Sequence, residues 1–135
     1  MTYQEIEKLI RENNNSKYFS DEFVVCLIWK ETNFNPAARN STASATGLMQ
    51  LTKGAVETVN NNTPKGRHSN HSEMTDAIKN IQCGTYYLDI AKTKLAGIDK
   101  SYGTGPGYSK NIFTCEECLK EDKEHYTEAF HKIHN

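Results

Sequence analysis

Phe23-Val24-Val25-Cys26-Leu27-Ile28-Trp29-Lys30-Glu31 is the most apolar stretch of the chain, and it closes on a carboxylate. Ser20 stands where a helix N-cap belongs, and Asp21 and Glu22 suit a first turn. Phe19 and Val24 occupy the hydrophobic-staple positions. The residue before a proline avoids helical geometry, so Pro36 is expected to end the helix. A helix apolar nearly all round belongs at the centre of a fold. A carboxylate at its end loses water, which raises its pKa and holds its proton near neutral pH. A protonated carboxyl beside a cleft can donate to a leaving oxygen, the step that glycoside cleavage requires.

The flanking sequence reads as helix and loop. Thr2 and Glu5 form a capping box ahead of Ile6, Leu9 and Ile10, and that helix ends in Asn13-Asn14-Asn15. Small residues from Ala37 to Thr52 make a long loop, followed by a short helix from about Lys53 to Asn60. A polar segment with Pro64 and Gly66 runs to Asn70. Thr75 is placed to cap a long helix over Asp76 to about Ala96, with Gly97 at its C-cap. Its inward stripe is Ile78, Ile81, Gly84 or Thr85, Leu88, Ala91 and Leu95. Glycine in mid-helix costs about 1 kcal/mol against alanine, so Gly84 points to close packing. Ser101 to Tyr108 is glycine-rich. Thr114 and Glu117 form another capping box, opening a last helix to about Ile133 with Leu119, Tyr126, Phe130 and Ile133 inward. No stretch alternates as a strand does, and no linker divides the chain. The expectation is one all-α domain over 1–135.

The 135 residues carry 16 basic and 17 acidic side chains, a net charge of −1. No positive field draws the chain to nucleic acid. No apolar run approaches the ~20 residues of a membrane span. The start, Met1-Thr2-Tyr3-Gln4-Glu5, has no basic, apolar or cleavage region of a signal peptide. Cys26, Cys83, Cys115 and Cys118 allow two disulfides in three pairings. Cys26 and Cys83 read as buried thiols, and Cys115 and Cys118 as a local disulfide ahead of a redox pair. A single Cys-x-x-Cys is too little for zinc, and His125, His131 and His134 have no metal-ligand spacing. His68 and His71 read as solvated. No metal or cofactor is expected.

Three separated segments share one pattern. They are Glu31-Thr32-Asn33-Phe34-Asn35-Pro36 with Ser41 and Gly47-Leu48-Met49-Gln50; Asn80-Ile81-Gln82-Cys83-Gly84-Thr85-Tyr86-Tyr87-Leu88; and Ser101-Tyr102-Gly103-Thr104-Gly105. Together they resemble the catalytic domain of soluble lytic transglycosylases and goose-type lysozymes, in family order. The resemblance implies a lysozyme-like helical fold with a substrate cleft, cleaving the β-1,4 bond between N-acetylmuramic acid and N-acetylglucosamine. It places Glu31 on the catalytic glutamate, Ser41 on the loop serine near it, and Met49 and Gln50 on sugar-cleft positions. Tyr102 falls on the tyrosine that supports the reacting centre and Tyr87 on the tyrosine of the Tyr-Leu pair. Thr32 stands where the family has serine. Gly103 stands where it has an asparagine that reaches substrate.

Inverting hydrolysis needs a second carboxylate some ~6.5–9.5 Å from the acid. No Asp or Glu occurs between Glu31 and Glu57, which leaves Glu57, Glu73 and Asp76 as bases. The empty near loop favours a single-carboxylate mechanism, and the resemblance then implies closure to a 1,6-anhydro sugar. A muramidase of the same fold is the alternative, and an inactive peptidoglycan-binding module is another. A thiol-disulfide protein using Cys115 and Cys118 is a third. The expected partner is the peptidoglycan glycan strand. Without a signal peptide, the chain reads as an excised module or as an antibacterial effector exported by another route, such as type VI secretion, to the periplasm. An effector implies a cognate immunity protein.

Overall fold

The computed structural model describes residues 1–40, 42–102, 107–131 and 133. The helices are α1 (Tyr3–Asn13), α2 (Asp21–Thr32), α3 (Lys53–Asn61), α4 (Ala77–Lys94), α5 (Ile98–Ser101), α6 (Tyr108–Glu121) and α7 (Tyr126–His131). Three short 3-10 turns, Lys65–Arg67, His71–Glu73 and Lys123–His125, lie between them. Extended pairing among the described residues is limited to the bridges Arg39–Thr46 and Thr46–Leu51.

The Thr2–Glu5 capping box forms, with both reciprocal bonds. Ser20 caps α2 by accepting from the Phe23 N–H. Phe23 to Ile28 are buried without interruption, as an all-round apolar helix requires. α1 and α6 pack against this central helix, α4 packs on α1 and α3, and α5 links α4 to α6.

Several boundaries differ from the sequence expectation. α2 stops at Thr32, ahead of Pro36, because Asn33 and Phe34 both take positive φ (51° and 68°). That turn buries Phe34 edge-on to Trp29 and Phe130, and the gained burial offsets backbone strain. Asp76, not Thr75, caps α4, accepting from the Lys79 N–H. The ends of the expected stripe, Ile78 and Leu95, are exposed. The expected last helix is two helices, and α6 starts at Tyr108, well before Thr114. Asp122 breaks it by accepting from the Glu124 N–H instead of continuing the helix.

The cysteines correct the expected pairing. Cys26 of α2 is bonded to Cys115 of α6, while Cys83 and Cys118 are free. Cys115 is buried and already bonded to Cys26, so it has no thiol left to share with the half-buried Cys118. A thiol pair for redox chemistry is therefore not assembled at Cys115 and Cys118.

The bridge closes a loop of 89 residues across the most extensive helix pair. Replacing Cys115 by serine is expected to lower unfolding stability by about 2–5 kcal/mol in urea titrations. Dithiothreitol should do the same to wild type and leave Cys115→Ser unmoved.

Candidate active site

Glu31 lies in the last turn of α2 and opens onto a cleft of about 230 Å³. Asn40, Ala43, Gln50, Thr52, Tyr87, Ser101 and Tyr102 are among the other residues lining it. Its lining thus combines Asn40, Ala43, Ala45 and Gln50 to Thr52 with residues of α2, α3, α4 and α5 and with Tyr102.

The loop stands on Asn80, a side chain with no exposed surface. Its Oδ1 accepts from the Met49 N–H (2.9 Å), and its Nδ2 donates to the carbonyls of Thr46 (3.0 Å) and Met74 (2.9 Å). Gly47 has φ of 80°, and a Cβ there would collide with the Met74 carbonyl and the Asn80 amide. At Gly84 of α4 a Cβ would strike the Met49 thioether, a side-chain contact and not a backbone one. The close packing expected at Gly84 is thus a seat for Met49. His71, expected in solvent, instead places its Nε2 on the carbonyls of Ser44 (2.8 Å) and Leu51 (3.1 Å). The Thr32 hydroxyl lies 2.9 Å from the Leu48 carbonyl, so threonine in the serine position still links α2 to this loop.

The residues singled out from sequence fall in three groups. Glu31, Gln50, Tyr87 and Tyr102 come together at the cleft. Gln50 sits at φ 51° and its Nε2 donates to the Ala38 and Gly47 carbonyls, so it shapes the loop as well as lining it. Met49 is wholly buried, so its side chain lies beneath the cleft floor and not on its surface. Ser41, Gly103 and His134 lie outside the described residues, as do Thr104 to Pro106.

Electrostatics at the site follow from burial. Desolvation raises the Glu31 carboxyl above its ordinary range, against a hydrogen bond from Tyr108 and the charge of Lys30. Tyr102 is pushed well up, by burial first and by the Glu31 charge second. Its hydroxyl has no hydrogen-bond partner among the described residues. Tyr87 is raised by burial and partly restored by a bond with Ser101, and its ring meets Tyr102 edge-on at 5.7 Å. None of the alternative bases lines the cleft. Glu73 is paired with Lys79 at 2.6 Å, Asp76 caps α4, and Glu57 is exposed on α3.

Residues 8–125 match the transglycosylase SLT domain. The chain belongs to this family. No curated protein matches the sequence. Among solved structures, the SLT domain resembles the 70 kDa soluble lytic transglycosylase of Escherichia coli, with 19% identity over 96% of this chain and a TM-score of 0.60. It also resembles the complex of the 70-kDa soluble lytic transglycosylase with bulgecin A, with 19% identity over 91% of this chain and a TM-score of 0.61. The likeness covers 21% and 20% of those chains, so this SLT domain spans about a fifth of their length. The expected lysozyme-like helical fold is the one found.

Three residues at the site had no role in the sequence reading. Asn80 was visible only as part of a motif. Asp99 accepts from the N–H groups of Gly107 (3.2 Å) and Ser109 (2.7 Å), and its carboxyl is held below the usual range by the Ser109 hydroxyl first and by these N–H groups after it. Tyr108, read as the end of a glycine-rich loop, donates its hydroxyl to Glu31 Oε2. No local pattern flags that bond, because its partners are 77 residues apart.

Asn80→Ala removes the acceptor of the Met49 N–H and the donor to the Met74 carbonyl, whereas the Thr46 carbonyl keeps the Leu51 N–H. It is expected to cost about 3 kcal/mol or more of stability in chemical denaturation. The cleft loop around Met49 should also lose amide protection in hydrogen exchange ahead of α2.

Proposed function

We propose that this SLT domain cleaves the β-1,4 bond between N-acetylmuramic acid and N-acetylglucosamine as a lytic transglycosylase with Glu31 as its one acid and base. The observation that carries the reading is that Glu31 is the sole carboxylate among the described residues lining the cleft. An inverting hydrolase needs a second one to activate water.

The Glu31 carboxyl gives its proton to the glycosidic oxygen, and the bond from that oxygen to C1 of the muramic acid breaks. The acetamido carbonyl oxygen of the same sugar bonds to C1, forming a cyclic oxazolinium. Glu31, now a carboxylate, takes the proton of the sugar's own C6 hydroxyl. The C6 oxygen attacks C1, the oxazolinium reopens to the acetamide, and the 1,6-anhydro product leaves. Glu31 ends protonated, ready for another cycle, and no water is consumed.

The surroundings support each role. Burial keeps Glu31 protonated to higher pH than an ordinary glutamate. The Tyr102 hydroxyl, without a partner among the described residues, is a polar atom held at the cleft for a substrate group. Gln50 and Tyr87 offer an amide and an aromatic edge for sugar. The Cys26–Cys115 bridge suits work in an oxidising compartment such as the periplasm.

Mass spectrometry of fragments released from purified peptidoglycan tests the reading. Wild type is expected to release products ending in 1,6-anhydro-muramic acid, and Glu31→Gln to release none. Products heavier by one water would show a muramidase instead. The first step needs the proton on Glu31, and its folded pKa lies above the ordinary value. Turnover should therefore persist on the acidic side and fall as pH rises through that raised value. A rate that climbs through the same range would show that Glu31 acts only as a base.

A further inference from the structure

Glu31 has two oxygens, and proton transfer to the glycosidic bond uses one of them. Tyr108 is the first residue of α6, and it is almost fully buried. Its hydroxyl donates to Oε2, and no other protein donor reaches Glu31 among the described residues. Burial, followed by the nearby Glu31 charge, pushes the phenol far above its ordinary pKa. The Tyr108 hydroxyl is consequently a donor in both charge states of Glu31.

Its position is fixed from three directions. Asp99 holds the backbone N–H groups on either side of it, at Gly107 and Ser109. Its ring lies parallel to that of Tyr102, 6.3 Å between centroids and 9° between planes. Lys30 Nζ sits 5.2 Å from the ring centre on α2 itself. The Cys26–Cys115 bridge also ties the helix that carries Glu31 to the helix that carries Tyr108.

We propose that Tyr108 is a positioning residue that selects the reacting oxygen of Glu31: by occupying Oε2 as donor, it leaves Oε1 to carry the proton and later to receive the one from the sugar hydroxyl. A carboxylic acid has one O–H and one acceptor oxygen, so a permanent donor on Oε2 dictates where its proton sits. The same bond strengthens as Glu31 loses its proton, because a charged acceptor binds a donor more tightly than a neutral one. Tyr108 thus favours the anion that forms in the transition state, which is the differential stabilisation that lowers a barrier. Tyr102, the tyrosine marked by the family resemblance, makes no such bond, so the two stacked rings divide the work. This inference rests on Glu31 being the acid.

The charged and titratable groups facing Glu31 are Lys30 on its own helix, Tyr102 at the end of α5, Tyr108 on α6 and, behind the tyrosines, Tyr87, Cys83 and Asp99. Tyr108→Phe keeps the ring and removes the donor alone. Carbon-13 NMR titration of the Glu31 carboxyl is expected to move to higher pH in Tyr108→Phe. In turnover, kcat is expected to fall roughly 10- to 100-fold with KM little changed, the loss typical of one hydrogen bond to a charged group. The falling limb of the pH profile should move up with the carboxyl. An unchanged Glu31 titration would overturn the proposal, and the titration needs no turnover. If Glu31→Gln still cleaves, the acid assignment fails while the titration still reads the bond. Should Tyr108→Phe not fold, the Tyr108 hydroxyl proton of wild type serves in its place. It is expected far downfield, moving upfield in Glu31→Gln, and a hydroxyl proton identical in both proteins would count against the bond.

Discussion

Excluding water from α2 is the constraint on which the structure depends. Phe23 to Ile28 expose almost nothing, and a helix with no wet face needs cover on every side. α1 and α6 provide two of those covers, and Phe34 and Phe130 close the end beside Trp29, with Trp29 and Phe130 stacked at 5.0 Å. Glu31 follows within one turn of the buried run and inherits its dryness. The interaction that forms the core is therefore also the one that raises the carboxyl. An acid at this place need not be engineered separately from the fold, because desolvation of the helix end is a by-product of packing its middle.

Around that carboxyl the cleft is lined with tyrosine more than with charge. Tyr87, Tyr102 and Tyr108 come from α4, the end of α5 and the start of α6, and all three are raised by burial. A buried phenol stays neutral and can donate without adding charge to the site. Glu31 and the phenols act on one another in opposite senses: its negative form pushes Tyr102 and Tyr108 up, while the Tyr108 hydrogen bond lowers Glu31 against its own desolvation. Lys30 lies over the Tyr108 ring, where its charge moderates the acid without forming an ion pair with it.

The floor of the cleft is made by backbone contact. Met49 lies on Gly84, and the Asn80 amide reads the backbone at Thr46, Met49 and Met74 at once. These motif residues make a shape and need not touch sugar. Gly47 and Gly84 are small because another group occupies the place of a Cβ. The Gly-Leu-Met-Gln segment thus combines a buried half, Leu48 and Met49, with Gln50 at the surface of the cleft.

The sequence by itself determined the helix starts at Thr2 and Ser20, the central place of α2, the desolvated Glu31 and the family. These depend on contacts within a few residues or on short motifs, which a linear reading can follow. It did not determine where helices stop. α2 ends on two left-handed residues whose strain is offset by aromatic packing with α7, and α6 begins where Asp99 reaches across the preceding loop. The disulfide escaped for the same reason: a nearby Cys-x-x-Cys suggests itself in sequence, whereas the packing of α6 on α2 brings Cys115 to Cys26, 89 residues away. Tyr108 was hidden most completely. Its meeting with Glu31 depends on the α2–α6 packing and on Asp99 together, and neither is legible beside either residue. Local pattern marked the desolvated Glu31 carboxyl, and the packing of distant helices set which donor holds it.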